Sequence, residues 1–402
     1  MALAGILAFI VALLVSVMIH EAGHFLTARH YGMKATQFFV GFGPTLWSRR
    51  HGETEYGVKA IPAGGFVKIV GMTPLEEVDP GDEERAFYKQ PAGRRTVVLA
   101  AGSFMHFVIA LVLVLISSFA LGKVVEGTPA LAATTACVSS GTNQSCSAPG
   151  AVPSPAKAAG VRPGDVVVAI NGKPVKDSRD FVTAVRGSAG VPVALTVLRD
   201  GVRTNLTLTP AAVERPSLTD PKKTERVGAI GVSVQARYVT ERQGPVDALK
   251  STGTTMGLIV KGIGVTLTDK LGTITSLYSN NRDPNGFVGV VGASRISGEV
   301  LASQETFGVK LLTFLGIIAG LNFFVGVFNL LPLLPLDGGH IAVLAFEQAR
   351  DRIRRLFGYR GPLRRVDLTK LMPLTYAVVL LFIGLTVWIM GADIVNPVRL
   401  PQ

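Results

Sequence analysis

Charge is what this 402-residue sequence has least of. Only 17% of its residues are Asp, Glu, Lys or Arg and 48% are hydrophobic, where soluble chains carry roughly a quarter charged residues. The shortage is concentrated: residues 1–19, 96–122, 311–336 and 371–392 contain no charged side chain at all. Each stretch meets or approaches the ~20 residues a helix needs to cross a hydrocarbon core. An ordinary soluble protein is excluded, and four membrane spans are predicted. A basic n-region is also missing, since no Lys or Arg precedes Arg29. The first run ends in Met18-Ile19-His20-Glu21 without an Ala-x-Ala pattern, so it reads as a retained span and not as a removable signal peptide. Cysteine is nearly absent. Cys137 and Cys146 are either a disulfide closing a small loop outside the cytoplasm or two free thiols in an Ala/Thr/Ser-rich insertion.

The charge that is present is mostly positive, with a net +12. No nucleic-acid motif accompanies it, so no nucleic-acid partner is expected, and the excess reads instead as a topology signal. Arg350, Arg352, Arg354, Arg355, Arg360, Arg364, Arg365 and Lys370 crowd the 341–370 connection. Lys34, Arg49, Arg50, Arg94 and Arg95 flank the ends of 31–95. Both connections are therefore expected on the cytoplasmic side of a membrane, with both termini and the long 123–310 segment outside.

Between the spans, residues 33–70 read as hairpin-rich, with Gly41-Phe42-Gly43-Pro44 and two runs of alternating apolar residues. Residues 74–95 read as a surface linker. Further on, Pro163-Gly164-Asp165, a strand at 166–170, the Asn171-Gly172 turn and a helix capped by Asp177 or Ser178 follow one another. Strands at 191–198 and 202–208 flank Asp200-Gly201. That order resembles a PDZ domain, circularly permuted as in bacterial membrane proteases. It captures peptides by strand addition or serves as a spacer. Residues 246–275, from Val246 and Leu249 through Met256, Ile259, Ile263 and Leu267, are apolar at helical spacing. They form a helix lying on the outer membrane surface or packing on the PDZ-like domain.

The chemistry centres on His20-Glu21-Ala22-Gly23-His24. Residues four apart share a helix face, so both imidazoles can hold one zinc ion while Glu21 takes a proton from water. Two helix histidines in plain polar contacts are the bland alternative, but ionisable groups ending an apolar span are costly and usually functional. A third ligand is needed. His30 stands where the extended metzincin pattern would put it, yet that pattern requires glycine where this sequence has Thr27. Asp337 ends the third apolar run, which crosses in the same direction as the first, so it falls at the depth of His20 and His24. Pro332, Pro335 and Gly338-Gly339 break the helix around it, as irregular backbone lining a wet cavity requires.

Together, His20-Glu21-x-x-His24 and Asn329-x-x-Pro332-x-x-Pro335-Leu336-Asp337-Gly338 resemble the site-2 protease family of intramembrane zinc metalloproteases. A single PDZ-like domain between spans two and three resembles its bacterial, regulator-of-sigma-E branch. The resemblance implies Zn2+ as cofactor, Asp337 as third ligand, and Asn329 bound to substrate, although alone Asn329 could be a helix-packing amide. It implies that Gly41, Phe42 and Gly43 begin a membrane-dipping β element that presents unwound substrate. It also implies single-span membrane-protein substrates, such as anti-sigma factors or remnant signal peptides, already trimmed by an upstream site-1-type protease. One departure stands out: the family's second span often carries Gly-x-x-x-Asn, whereas Gly102 is followed here by His106. His106 is either a polar contact beside the site or a partner for a neighbouring helix, and His340 is a possible partner of Asp337.

The expected fold is thus an α-helical polytopic membrane protein. It has four transmembrane helices, a membrane-associated β-hairpin element and one extracytoplasmic PDZ-like α+β domain in the lipid bilayer. Its parts divide as spans 1–30, 96–122, 306–340 and 371–396, the β element and linker 31–95, the PDZ region 123–213, its C-terminal part 214–305, and the basic loop 341–370. Two rival classes are weaker. A catalytically inactive PDZ scaffold has no need of Glu21, and a metal transporter more often shows inverted repeats, which are not found.

Overall fold

The computed structural model describes all residues except 1, 73–76, 142–144, 219–222, 270, 280–281, 284–285, 362–364 and 399–402. The chain divides into two units. One comprises residues 1–122, 243–304 and 310–402, and the other residues 123–242 and 305–309.

Among the described residues, four helices are long and apolar enough to cross a membrane, all in the first unit but for residues 307–309: Ala2–His30, Ala92–Ala120, Phe307–Asn329 and Thr369–Val395. They correspond to α1 (Ala2–His30), α2 (Ala92–Ala120), α7 (Phe307–Asn329) and, after one 3-10 turn, α9 (Met372–Val395). The third apolar run is not one continuous helix. It stops at Asn329, and α8 (Asp337–Leu356) begins anew after the proline-bearing 330–336 segment, because proline removes a helical donor and clashes with the preceding turn. Most of the basic 341–370 connection is therefore helix rather than loop. Its Arg364 lies outside the described residues, as do residues 74–76 of the expected linker.

Between α1 and α2, β1 (Ala35–His51) pairs with β2 (Thr54–Ile69). The register shows more than a plain hairpin. Residues 37–40 are flanked by 65–68 on one side and by 55–58 on the other, while 45–51 pairs with 54–59. The two strands thus fold back into a four-segment sheet whose 65–69 segment is an edge. Gly41 and Gly43, with φ of 83° and 82°, supply the positive dihedrals that this doubling-back requires. Phe25, Met33, Ile69, Val98, Leu99 and Leu344 are buried together, tying α1, the sheet, α2 and α8 at one end of the unit.

Helix α5 (Pro245–Thr268) makes a contact that neither alternative read from the sequence included. Met256 and Ile259 pack against Ala110 and Val114 of α2 and Ala319 of α7, so the helix leans on membrane spans. The side chain of Leu267 lies outside the described set. Helix α6 (Val290–Ala302) packs on the start of α1, where a Cβ on Gly5 would strike the Gly298 backbone. Nearby, the buried Asp393 accepts from Arg282 at 2.7 Å and from the Gly289 and Gly292 amides at 2.9 Å, a charge made tolerable by full pairing.

The second unit is β-rich. Its main sheet has the order β10 (Val202–Leu208), β9 (Val193–Arg199), β7 (Val166–Ile170), β4 (Ala130–Thr134), β13 (Val232–Gln235), with β8 (Lys173–Pro174) attached to β7. Strand β3 (Lys123–Glu126) pairs with β14 (Tyr238–Glu241), β5 (Cys137–Val138) with β6 (Val152–Pro153), and β11 (Ala211–Pro216) with β12 (Thr224–Ala229). Short α3 (Pro155–Ala158) and α4 (Ser178–Arg186) complete it, the latter capped by the Asp177 carboxylate on the Asp180 amide at 2.8 Å. Phe181, Val185, Leu195, Val197 and Leu131 form its core. Cys137 and Cys146 are disulfide-bonded.

Candidate metal centre

His20 and His24 sit in the last third of α1, one turn apart and buried. Helix geometry brings their rings side by side, with Nε2 to Nε2 at 3.1 Å. Asp337, the first residue of α8, points Oδ2 at both, 3.5 Å from His20 Nε2 and 3.4 Å from His24 Nε2. No other group of three or more His, Cys, Asp and Glu among the described residues converges in this way. Ligand bonds of 2.0–2.1 Å in a tetrahedron place neighbouring ligand atoms about 3.3 Å apart. The three observed separations bracket that value, so this donor set fits a zinc ion.

The surroundings fit it too. His24 Nδ1 donates to the Val98 carbonyl at 2.7 Å, which fixes the tautomer and leaves Nε2 with its lone pair toward the cluster. Asp337 Oδ2 and His20 Nδ1 are buried with no hydrogen-bond partner. An orphaned carboxylate oxygen below the surface is expensive unless something else serves it, and a cation at the centre of the triangle would. Helix α2 approaches so closely that a Cβ on Gly102 would strike His24 Nε2 and His20 Cε1, and one on Gly23 would strike the Ala101 carbonyl and Met105. Gly338 and Gly339 pack equally hard on the backbone of residues 330–334, which holds the first turn of α8 in place.

Glu21 faces another way. Its Oε2 accepts from the Val67 amide at 3.0 Å, so the edge segment of the sheet holds the carboxylate beside the cluster without adding it to the ligand set. His106 lies on α2 with its ring centroid 4.9 Å from that of His20. Its Nδ1 meets Asn322 Oδ1 at 2.9 Å, and Asn322 Nδ2 donates to Ser16 Oγ at 3.0 Å and to the Ile318 carbonyl at 2.8 Å. Both amide donors are thereby used, which makes His106 Nδ1 the donor to Asn322.

A model of peptidase family M50 matches residues 8–359. The chain belongs to that family. It is 41% identical to the zinc metalloprotease Rip1 of Mycobacterium tuberculosis over 99% of both chains, and 38% identical to Rip1 of Mycolicibacterium smegmatis over 99% of both. A putative zinc metalloprotease of Rhizobium meliloti is 29% identical over 86% of this chain and 87% of its own.

Within this M50 chain the other candidates scatter. Asn329, half-buried, is the last residue of α7. Gly41, Phe42 and Gly43 lie in β1, with Phe42 stacked on Phe66 of β2. His340 lines a cavity of about 290 Å³ with Arg95, Glu347 and Arg365, and no hydrogen bond among the described residues joins it to Asp337. Asn322 was not singled out by sequence. An amide at mid-span, costly in lipid unless satisfied, is the one signal that could have found it.

Proposed function

We propose that this M50 peptidase hydrolyses peptide bonds within the membrane segments of other proteins, with zinc held by His20, His24 and Asp337 and with Glu21 as general base. The observation that carries the assignment is the 3.1–3.5 Å triangle of donor atoms around an orphaned carboxylate oxygen. A zinc ion there supplies Lewis acidity, which polarises a carbonyl and makes water a nucleophile at neutral pH. Glu21 takes the proton of the attacking water and returns it to the leaving amine. His24 is oriented for its task by Val98, and Asp337 by the packing of Gly338 and Gly339. His106, steadied through Asn322 and Ser16, offers a polar contact beside His20, and Asn329 binds the substrate backbone.

A helical substrate hides its carbonyls, so it must be extended before it is cut. Among the described residues the 65–69 segment pairs on one side only, and its Val67 amide already reaches Glu21. Strand addition along that edge would lay a peptide beside the cluster. The far end of the same sheet exposes Phe42, Leu46, Trp47 and Ile61, as suits a β element dipping into lipid, with Gly41, Phe42 and Gly43 at its start.

The β-rich unit reads as a permuted PDZ domain. Between α4 and edge strand β13 runs a groove of about 260 Å³ lined by Phe181, Val185, Ile230, Val232, Arg186 and Arg215. Gly228, Ala229 and Gly231 line it as well. Apolar walls with two arginines among them suit a peptide C-terminus, such as the end left when an upstream site-1-type protease trims a single-span substrate, an anti-sigma factor or remnant signal peptide among them. The disulfide suits an oxidising compartment for this unit, and the arginines of 341–370 support a cytoplasmic side for that connection in a bacterial cell membrane.

The test is metal analysis paired with cleavage of a membrane-embedded substrate by the purified protein. Asp337→Asn should lose zinc. Full zinc and full cleavage in that variant would remove Asp337 from the ligand set.

A further inference from the structure

Helix α8 leaves the metal centre at Asp337 and presents two unlike faces. Its inner face is occupied: Leu344 is 2% exposed, and Glu347 accepts from the Val366 amide at 2.7 Å and lies 3.8 Å from Arg95. The opposite face is not. Phe346, Ile353, Leu356 and Phe357 are 60%, 53%, 83% and 89% exposed. At 100° per residue, positions 346, 353 and 357 fall within one narrow stripe.

Arg354, about 80° from Phe346, and Arg352, about 40° beyond Leu356, flank that stripe, whereas Arg355 falls on the opposite side of the helix. Arg350 is paired with its neighbour Asp351 at 2.9 Å. Arg352, Arg355 and Arg360 are exposed and have no acidic partner among the described residues, and Arg354 lies over the Tyr359 ring. An apolar stripe edged by unneutralised guanidinium groups is the pattern of a helix lying in a membrane interface. Three occupants can be compared by chemistry. Free phosphate would satisfy the arginines but leave two phenylalanines, an isoleucine and a leucine in water. A second copy would oppose the same basic patch in a two-fold contact, in a chain already carrying a net +12. A bilayer of acidic phospholipid matches both features at once, since guanidinium forks fit phosphate and the acyl boundary takes the apolar side chains.

We infer that the outer face of α8 docks on anionic phospholipid headgroups, with Phe346, Ile353, Leu356 and Phe357 seated below them and Arg352 and Arg354 on the phosphates. The inference rests on the chain spanning the membrane and does not depend on which residues bind metal.

The test uses the full-length protein in nanodiscs of phosphatidylcholine alone or mixed with phosphatidylglycerol. Leu356→Cys carries an environment-sensitive fluorophore, the two native cysteines being bonded to each other. In the mixed discs the label should shift to the blue and be quenched by lipid-borne nitroxide. Arg352→Gln and Arg354→Gln should each weaken that insertion by roughly fivefold, about 1 kcal/mol per charge at an anionic surface. Amide exchange at 340–347 should be unchanged in these variants, as a folding control. Equal quenching in pure phosphatidylcholine would overturn the inference, as would a label exposed in both discs. Release of the label by millimolar inorganic phosphate, or insertion that depends on protein concentration, would overturn it in favour of free phosphate or a second copy.

Discussion

Asp165 in the β-rich unit and Asp337 in the helical unit are both largely shielded carboxylates, and the chain treats them in opposite ways. Asp165 receives Arg199 through two bonds of 2.7 Å and the Arg162 amide at 2.9 Å. Asp337 has two imidazoles at 3.4 and 3.5 Å and an oxygen with no donor. Among that β-rich unit's described residues, the Ser178 hydroxyl is the one buried side-chain atom without a partner. Folding alone therefore satisfies the first carboxylate. The second is left with an oxygen that folding does not satisfy, as the proposed metal site requires.

The sharpest way to test that contrast is Glu21→Gln. Zinc content should stay at the wild-type level, because Glu21 is bonded to Val67 and stands outside the donor triangle. Cleavage should fall by about 10²–10⁴-fold, the usual contribution of a general base. A variant that kept its activity would make Glu21 a packing residue.

Zinc removal separates the units next. Both tryptophans, Trp47 and Trp388, lie in the helical unit, so intrinsic fluorescence follows that unit alone. A chelator should lower its thermal transition, by about 4 kcal/mol of stability relative to free zinc at a thousand times its dissociation constant. Amide exchange of β7 and β9 should be unmoved. Equal shifts in both units would erase the distinction drawn here.

The two halves of that contrast were not equally legible in the sequence. The spans were, because charge is missing from whole stretches, and the two histidines were, because a spacing of four has one meaning on a helix. Asp337 came from its depth at the end of the third run and from the motif around it, although it opens a new helix instead of closing the old one. Asn322 carries no motif and emerges only when α1, α2 and α7 are packed. The bond from Val67 to Glu21 depends on a sheet doubling back on itself, which a pattern of alternating residues does not reveal. Strands β4 and β13 are short and about a hundred residues apart, so the main sheet was read without them. Arginine density made 341–356 look like loop, where its apolar stripe makes it a helix.

Core truncation in the β-rich unit should give the mirror image of metal removal. Leu195 is 1% exposed and packs in the main core, so Leu195→Ala should destabilise that unit by about 3 kcal/mol. Exchange of β7 and β9 should quicken while zinc content and the tryptophan signal hold. Loss of zinc in this variant would show that the units do not fold independently.

The smallest effect concerns Asp165 itself. Burial opposes its ionisation, but the Arg199 guanidinium and the Arg162 amide outweigh that and hold the carboxyl below the usual aspartate range. A carboxyl with a lowered folded pKa contributes stability that is complete above its unfolded value and lost as pH falls through the folded one. The β-rich unit should therefore keep its full transition temperature from neutral pH to the ordinary aspartate range, then lose part of it in acid. Asp165→Asn should be modestly less stable at neutral pH and show a flatter acid limb. An unchanged acid limb in that variant would mean that the Arg199 pair contributes nothing net, and that this carboxylate is merely tolerated.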